Sequence, residues 1–220
     1  MEHADLQPID EAALADFALR LIGATSLSGD EGAAAEVTAA EMRRLGLAVE
    51  RDEAGNVLGS IGDESGPTVL IDAHLDTVGV TEPEAWSQPP AGERVGGRIY
   101  GRGAMDMKGP LAAAVHGAAS LAGRLPRGRV VVAATLAEEL VEGPATELVA
   151  RRLRPDFVII GEATSLKLAR GQRGRAEIVV TTHGQPTHSS RPELGVNAAQ
   201  AMVDIIVALR EIAPPEHPVL

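Results

Sequence analysis

The chain has 220 residues and contains no cysteine. This absence excludes disulfide bonds, cysteine-rich zinc sites and a thiol nucleophile. It also suits a reducing compartment. The acidic, amphipathic N-terminus lacks the basic segment and apolar core of a signal peptide. Together these features predict a cytoplasmic protein.

Aromatic residues are also scarce, at 2% of the chain, so the core must be built mainly from Ala, Val, Leu and Ile. The apolar run at residues 130–137 is far shorter than a membrane-spanning helix, which needs about 20 residues. Basic residues are outnumbered, with 20 Lys and Arg against 31 Asp and Glu and a net charge of -11. A general nucleic-acid binder needs a basic face, so neither a membrane nor a nucleic acid is expected as a partner.

Apolar runs separated by helical patterns predict an α/β fold. The runs at 129–136 and 157–160 are typical of strands buried on both faces. Strands that alternate with helices favour a mostly parallel sheet flanked by helices. The predicted strands are 68–74, 129–136 and 157–160, and the helices between them are 110–122 and 145–153.

Two further segments complete the prediction. A helix is expected after Ser28, whose hydroxyl makes a good N-cap, with Asp30 and Glu31 in its first turn. After Gly171 the pattern changes, and a strand at 176–182 and a helix at 196–212 are expected. The sequence therefore predicts an α/β domain over residues 1–172 and the start of a small α+β domain over 173–220.

Ionisable residues follow the predicted strands or open the next helix. Because the carboxyl ends of parallel strands meet at one edge of a sheet, we expect one imidazole and five carboxylates to gather there. Carboxylates so crowded repel each other, and one or two divalent cations remove that repulsion. A histidine with several carboxylates suits zinc, cobalt or manganese. The six residues are His74, Asp76, Asp106, Glu138, Glu139 and Glu162.

Each of these residues also has a structural interpretation. A histidine after a strand more often packs in a core than binds a metal, and Asp106 can be a helix N-cap. The adjacent Glu138 and Glu139 can be the solvated start of a helix. Gly101 and Gly103 resemble the start of a dinucleotide-binding fingerprint, but Asp106 occupies the position of its third glycine. His116, within a predicted helix, is expected to be structural.

Five motifs occur in one order along the chain. They are His74-Leu75-Asp76, Gly101-Arg102-Gly103 through Asp106-Met107-Lys108-Gly109, Glu138-Glu139, Gly161-Glu162-Ala163-Thr164 and His188-Ser189-Ser190. This set resembles the dinuclear metallohydrolases that include acetylornithine deacetylase, succinyl-diaminopimelate desuccinylase, aminoacylase and carboxypeptidase G. The resemblance covers essentially the whole chain. It implies a phosphorylase/hydrolase-like catalytic domain over residues 1–172 and part of a lid and dimerisation domain over 173–220.

The resemblance implies two Zn²⁺ sites, which Co²⁺ or Mn²⁺ can also fill. His74 and Glu162 would ligate one metal, and Asp76 would orient His74. Asp106 would bridge both metals, and Glu139 would ligate the second.

The resemblance also implies the reaction. Glu138 would be the general base in the hydrolysis of an amide bond of an N-acyl amino acid or a peptide. His188 would polarise the scissile carbonyl in the site of a dimer partner, so a homodimer through the lid domain is expected.

One element of the family pattern has no match. Intact members carry a further metal-binding histidine, but no position after His188 fits it, and His217 lacks the surrounding motif. Two hypotheses follow: the N-terminal portion of a hydrolase, or an inactive remnant that serves at most as a metal-binding or oligomerisation module. Little activity is expected of this chain alone, and the metal beside His74 is expected to bind more tightly than the second.

Overall fold

The computed structural model describes residues 7–172 and 174–213. The chain divides into two compact units, Met1–Leu166 and Lys167–Leu220. The domain boundary expected after residue 172 stays a prediction.

The first unit contains a five-stranded sheet and a separate two-stranded hairpin. The strands are β1 (Ala48–Arg51), β2 (Val57–Gly62), β3 (Thr68–His74), β4 (Glu93–Val95), β5 (Arg98–Tyr100), β6 (Arg129–Thr135) and β7 (Phe157–Ile160). The order in the large sheet is β1-β2-β6-β3-β7. β3 pairs in parallel with β6 and β7, whereas β2 pairs antiparallel with β1 and β6. The predicted α/β fold is confirmed, as a mixed sheet whose parallel part is β6, β3 and β7.

Helices cover both faces of this sheet. They are α1 (Glu11–Gly23), α2 (Gly32–Arg44), α3 (Lys108–Ala119), α4 (Glu138–Val141) and α5 (Pro144–Leu153). Along β6, Val130 and Val132 pack into the large cluster with α1, α2 and α3, whereas Val131 packs with Val149 of α5. This alternation confirms that β6 is buried on both faces, as its uninterrupted apolar run predicts.

The expectation that residues 157–160 form a buried strand is wrong. β7 forms, but its four side chains are exposed, from 49% at Val158 to 63% at Phe157. Within residues 7–172 and 174–213, β7 pairs with β3 alone and lies at the edge of the sheet. An apolar run favours a strand, but it does not record which neighbours are present to cover that strand.

The second unit contains α6 (Ala198–Arg210), which matches the predicted helix. Asn197 caps it, because its Oδ1 accepts the N–H of Gln200 at 3.1 Å. The strand predicted at 176–182 is wrong: residues 174–183 have no strand pairing, and Ile178 and Val179 are more than 80% exposed. A strand requires a hydrogen-bonded neighbour, which β propensity alone does not supply. Among the residues that the structure describes, no helix is both long and apolar enough to cross a bilayer.

Candidate metal centre

The ends of β3, β6 and β7 place one histidine among several carboxylates. The parallel register sets His74 beside Thr135 of β6 and Asp72 beside Ile160 of β7, so all three strands end at one edge. The Nε2 atom of His74 lies 3.0 Å from Asp106, 3.4 Å from Glu162 and 3.8 Å from Glu138. The structure therefore brings together side chains that are as many as 88 positions apart in the sequence, His74 to Glu162.

The second ring nitrogen of His74 fixes the orientation of the imidazole. Nδ1 lies 2.9 Å from the main-chain oxygen of Asp76 and 3.4 Å from its carboxylate. Because a carbonyl oxygen only accepts, Nδ1 carries the proton in this contact, and the lone pair of the neutral ring is then on Nε2. That lone pair faces the carboxylates of Asp106 and Glu162, so Nε2 is placed to bind a metal together with them.

The carboxylate of Asp76 holds the turn that follows β6. It is fully buried and accepts the main-chain N–H groups of Glu138 at 3.1 Å and Glu139 at 3.0 Å. The hydroxyl of Ser28 donates to it at 2.5 Å. Burial raises the pKa of Asp76, but hydrogen bonds from His74, Ser28 and these N–H groups lower it to about 2. Asp76 is therefore ionised, and its carboxylate fixes the main chain at Glu138 and Glu139.

The segment between α1 and α2 also supports the site. The sequence does not predict this contribution. Ser28 is not the N-cap of α2, since α2 begins at Gly32 and its first turn has no side-chain cap. Lys108 is buried at 1% exposure and donates from Nζ to the carbonyl of Ala24 at 2.8 Å. Burial lowers the pKa of Lys108 to about 8. A Ser shortly before a helix is a common cap, so the sequence carried no signal for the bond to Asp76.

Asp106 lies in the glycine-rich turn before α3. The N-cap position is Met107, and α3 has no side-chain cap, so the alternative that Asp106 merely caps the helix is wrong. Gly103 has a φ of +82°, and a Cβ there would lie 2.8 Å from the side chain of Thr77. The turn that delivers Asp106 to His74 therefore requires glycine at position 103. The peptide bond between Asp106 and Met107 is cis.

Glu138 and Glu139 begin α4 directly after a left-handed residue, Ala137, whose φ is +57°. Burial raises the pKa of both glutamates; Glu162 adds to this at Glu138, and Asp106 does so at Glu139. At Glu162 the hydrogen bond with His74 lowers the pKa. These shifts show that the carboxylates compete for positive charge.

The pKa of His74 also reflects the negative charge of the surrounding carboxylates. Its burial lowers the pKa of the ring, but hydrogen bonds with Asp76 and Glu162 raise that pKa to about 11. The ligand atoms form two groups that share His74, one with Asp106 and Glu139 and the other with Glu138 and Glu162. Within each group the atoms lie within 4.8 Å of one another. One imidazole nitrogen with several carboxylate oxygens fits zinc, cobalt or manganese.

The remaining predicted histidines lie elsewhere. His188 belongs to the second unit and is exposed; its Nδ1 accepts the N–H of Ser190 at 3.2 Å and lies 2.8 Å from the Ser190 hydroxyl. His116 is buried beside Glu41, with Nε2 3.2 Å from the carboxylate, which agrees with a structural role. His217 lies outside the described residues.

Comparison with known proteins decides the family. Residues 70–218, more than half of the chain, match the model of peptidase family M20/M25/M40. The chain belongs to this family. The resemblance seen in the five motifs is thereby confirmed, and so is the α/β class of the fold.

Relatives within the M20 family have several activities. The chain is 31% identical to succinyl-diaminopimelate desuccinylase 2 of Ruegeria sp. (strain TM1040), over 89% of this chain and 54% of that protein. It is 33% identical to acetylornithine deacetylase of Aliivibrio fischeri (strain MJ11), over 86% of this chain and 51% of that protein. The M20 family metallo-carboxypeptidase Sso-CP2 from Sulfolobus solfataricus shares the fold, with a TM-score of 0.68 over 90% of this chain, 49% of that chain and 23% identity. The chain thus spans about half the length of the curated relatives it matches.

Proposed function

We propose that the chain is the metal-binding portion of a metal-dependent amide hydrolase, of the N-acyl amino acid deacylase or dipeptidase and carboxypeptidase type. The observation that carries this proposal is the surrounding of His74 Nε2 by the carboxylates of Asp106, Glu162 and Glu138. Family membership supports the amide as the bond that is cleaved. The names of the relatives support acylated amino acids or peptides as the substrate class.

Zinc is the proposed metal, with cobalt and manganese as alternatives that suit the same ligands. His74 and Glu162 would hold the first metal, Glu139 would hold the second, and Asp106 would contribute to both. A bound metal of this kind acts as a Lewis acid and lowers the pKa of water. We propose that the first site binds more tightly, because His74 supplies it with a nitrogen ligand.

Glu138 is the proposed general base. Its carboxylate lies 3.8 Å from His74 Nε2 and is one-third exposed, so water reaches it. Burial raises its pKa, which makes the carboxylate a stronger proton acceptor. Glu138 accepts the proton of the attacking water and then delivers it to the leaving amine.

His188 is the proposed group that polarises the scissile carbonyl, in the site of a second copy of the protein. Its Nδ1 accepts the main-chain N–H of Ser190, which favours a proton on Nε2 in the neutral ring. An N–H at that position can donate to a carbonyl oxygen. A homodimer through the second unit and a cytoplasmic location complete the proposal.

Metal content and turnover test this function together. The purified protein is titrated with Zn²⁺ and Co²⁺, and hydrolysis of acetylated and succinylated amino acids and of dipeptides is assayed. Glu138→Gln is expected to keep the metal and to lower kcat by about 10²–10⁴-fold, the usual loss on removing a general base. Glu142→Gln, at the C-cap of the same short helix, is the matched control. Turnover that survives Glu138→Gln contradicts the role of Glu138.

The second candidate is a metal-binding or oligomerisation module without catalysis. The observation in its favour is the exposure of the apolar strand β7, from 49% at Val158 to 63% at Phe157, which an oligomer partner would cover. Stoichiometric metal binding without hydrolysis of any of these substrates supports this module. Hydrolysis that depends on Glu138 excludes it.

A further inference from the structure

Three consecutive main-chain N–H groups after β6 each donate to a buried carboxylate. Those of Glu138 and Glu139 donate to Asp76. That of Ala137 donates to Oε1 of Glu31, at 3.0 Å, across 106 positions in the sequence. Glu31 is 5% exposed. Two carboxylates from different parts of the chain thus hold one turn.

The turn after β6 has an unfavourable backbone conformation. Ala137 has a φ of +57°, in the left-handed region that disfavours residues with a Cβ. The following helix α4 has four residues and no side-chain cap, so it cannot fix its own start. The direction in which Glu138 and Glu139 leave β6 therefore depends on contacts from outside the turn.

Glu31 is arranged to supply such a contact rather than to cap α2. It occupies the N-cap position of α2, but its side chain makes no cap hydrogen bond there. Its Oε1 accepts the N–H of Gly29 at 2.9 Å as well as that of Ala137. One oxygen therefore ties the segment before α2 to the turn after β6.

The neighbouring residues of this segment reinforce the link. Ser28 donates to Asp76 at 2.5 Å, and Ser26 donates to the carbonyl of Leu75 at 2.8 Å. The N–H of Thr77 donates to the carbonyl of Ser26, also at 2.8 Å. Glu31 therefore belongs to a segment that is hydrogen-bonded to the end of β3.

We propose that Glu31 is a positioning residue for the Glu138–Glu139 pair, acting through the N–H of Ala137. This inference rests on the proposed function for its catalytic meaning, since Glu138 is the proposed base and Glu139 a proposed ligand. The group that acts is a hydrogen-bond acceptor at Oε1. An amide oxygen in the same place serves as well, whereas an apolar side chain of the same length does not.

Two substitutions of similar size separate acceptor from packing. Glu31→Met keeps the length and removes the acceptor, and Glu31→Gln keeps an acceptor oxygen. Glu36→Met, on the exposed side of α2 where Glu36 pairs with Arg51 at 3.0 Å, is the matched control. The readouts are amide hydrogen exchange at Ala137, Glu138 and Glu139, and the affinity and visible absorption spectrum of bound Co²⁺.

Glu31→Met is expected to speed exchange at Ala137 by about tenfold or more, as the loss of one charged hydrogen bond allows. The Co²⁺ affinity is expected to fall about 10–100-fold with a changed spectrum, the usual range for a residue that orients metal ligands. Glu31→Gln restores both properties, and Glu36→Met leaves both unchanged.

Unchanged exchange at Ala137 in folded Glu31→Met overturns the inference, and so does a failure of Glu31→Gln to restore it. If circular dichroism shows that Glu31→Met is unfolded, Glu31→Asp replaces it, because the shorter carboxylate is withdrawn from Ala137 by one methylene. A wild-type protein that binds no Co²⁺ contradicts the proposed function. Exchange at Ala137 still decides the role of Glu31 in that case.

Discussion

His74 Nδ1 lies 2.9 Å from the main-chain oxygen of Asp76, closer than to the Asp76 carboxylate at 3.4 Å. The same carboxylate accepts the N–H groups of Glu138 and Glu139 and the hydroxyl of Ser28. One residue thus orients the histidine through its backbone and the glutamates through its side chain. These two effects are experimentally separable.

Asp76→Asn tests this separation. An amide NH₂ group cannot accept the N–H that one carboxylate oxygen now accepts, so the glutamate turn shifts while the backbone contact to His74 persists. We expect Zn²⁺ affinity to fall about 10–100-fold, as for other groups that support ligands. Calorimetric titration measures the affinity, and ¹⁵N NMR of the imidazole shows which nitrogen carries the proton. Asp63→Asn, in an exposed turn, is the control. Unchanged Zn²⁺ affinity in Asp76→Asn contradicts the assignment.

His74→Gln is expected to remove the metal of the first site. His74 is the one proposed nitrogen ligand, and the substitution leaves only carboxylates around that position. Metal content after dialysis, measured by atomic emission, is expected to fall by about one metal per chain relative to the wild type. His116→Gln replaces a histidine of similar burial whose partner is Glu41, and it is expected to keep the metal. A His74→Gln protein that retains the metal content of the wild type argues for a site built without this residue.

Gly103→Ala is expected to weaken the site from a distance. A Cβ at residue 103 lies too close to Thr77, and the φ of +82° adds strain, so the turn carrying Asp106 must move. We expect a loss of stability of roughly 1–3 kcal/mol together with weaker Co²⁺ binding. Gly117→Ala in α3 meets no atom within 4 Å and is expected to stabilise the protein by about 0.5–1 kcal/mol. Urea unfolding measures both values, and equal stability of the two variants disproves the strain at Gly103.

Glu41→Gln is expected to change the acid stability of the protein. Glu41 is 1% exposed and contacts Arg20 and Arg44, each at 2.6 Å. Burial raises its pKa, but these arginines lower it to about 2 from an ordinary 4.5. Because the folded pKa is depressed, the stability it contributes is present above pH 4.5 and is lost as pH falls through about 2. The shift corresponds to roughly 3 kcal/mol.

Urea unfolding between pH 7 and pH 2 checks this expectation. The stability of the wild type is expected to fall across that range by about 3 kcal/mol more than that of Glu41→Gln. Glu36→Gln serves as the control, since Glu36 is 71% exposed and its ion pair lies on the surface. Parallel pH profiles for wild type and Glu41→Gln would show that the ion pairs of Glu41 do not contribute to stability.

The sequence predicted the elements whose own residues decide their structure. Strand 68–74 and the run at 129–136 are correct almost to the residue, because uninterrupted apolar stretches are bounded by turn residues. The carboxylates meet at one edge because parallel strands end there, which follows from topology alone. These predictions required no knowledge of contacts distant in sequence.

The errors concern neighbours rather than propensities. Ser28 has the chemistry of an N-cap, but its hydroxyl donates to Asp76, 48 positions later. The strand at 157–160 forms as predicted and yet is exposed, since it lies at the edge of the sheet. The sequence predicts Glu31 in the first turn of a helix, whereas its carboxylate accepts the N–H of a residue 106 positions away. Local patterns hold no record of such partners.

All the proposed metal ligands lie between residues 74 and 162, within the first of the two compact units, whereas His188 lies in the second. Under the proposed roles, a substitution at His188 is expected to lower substrate turnover while leaving every proposed metal ligand in place. A metal assay alone therefore cannot distinguish an active member of this lineage from one that has lost its chemistry.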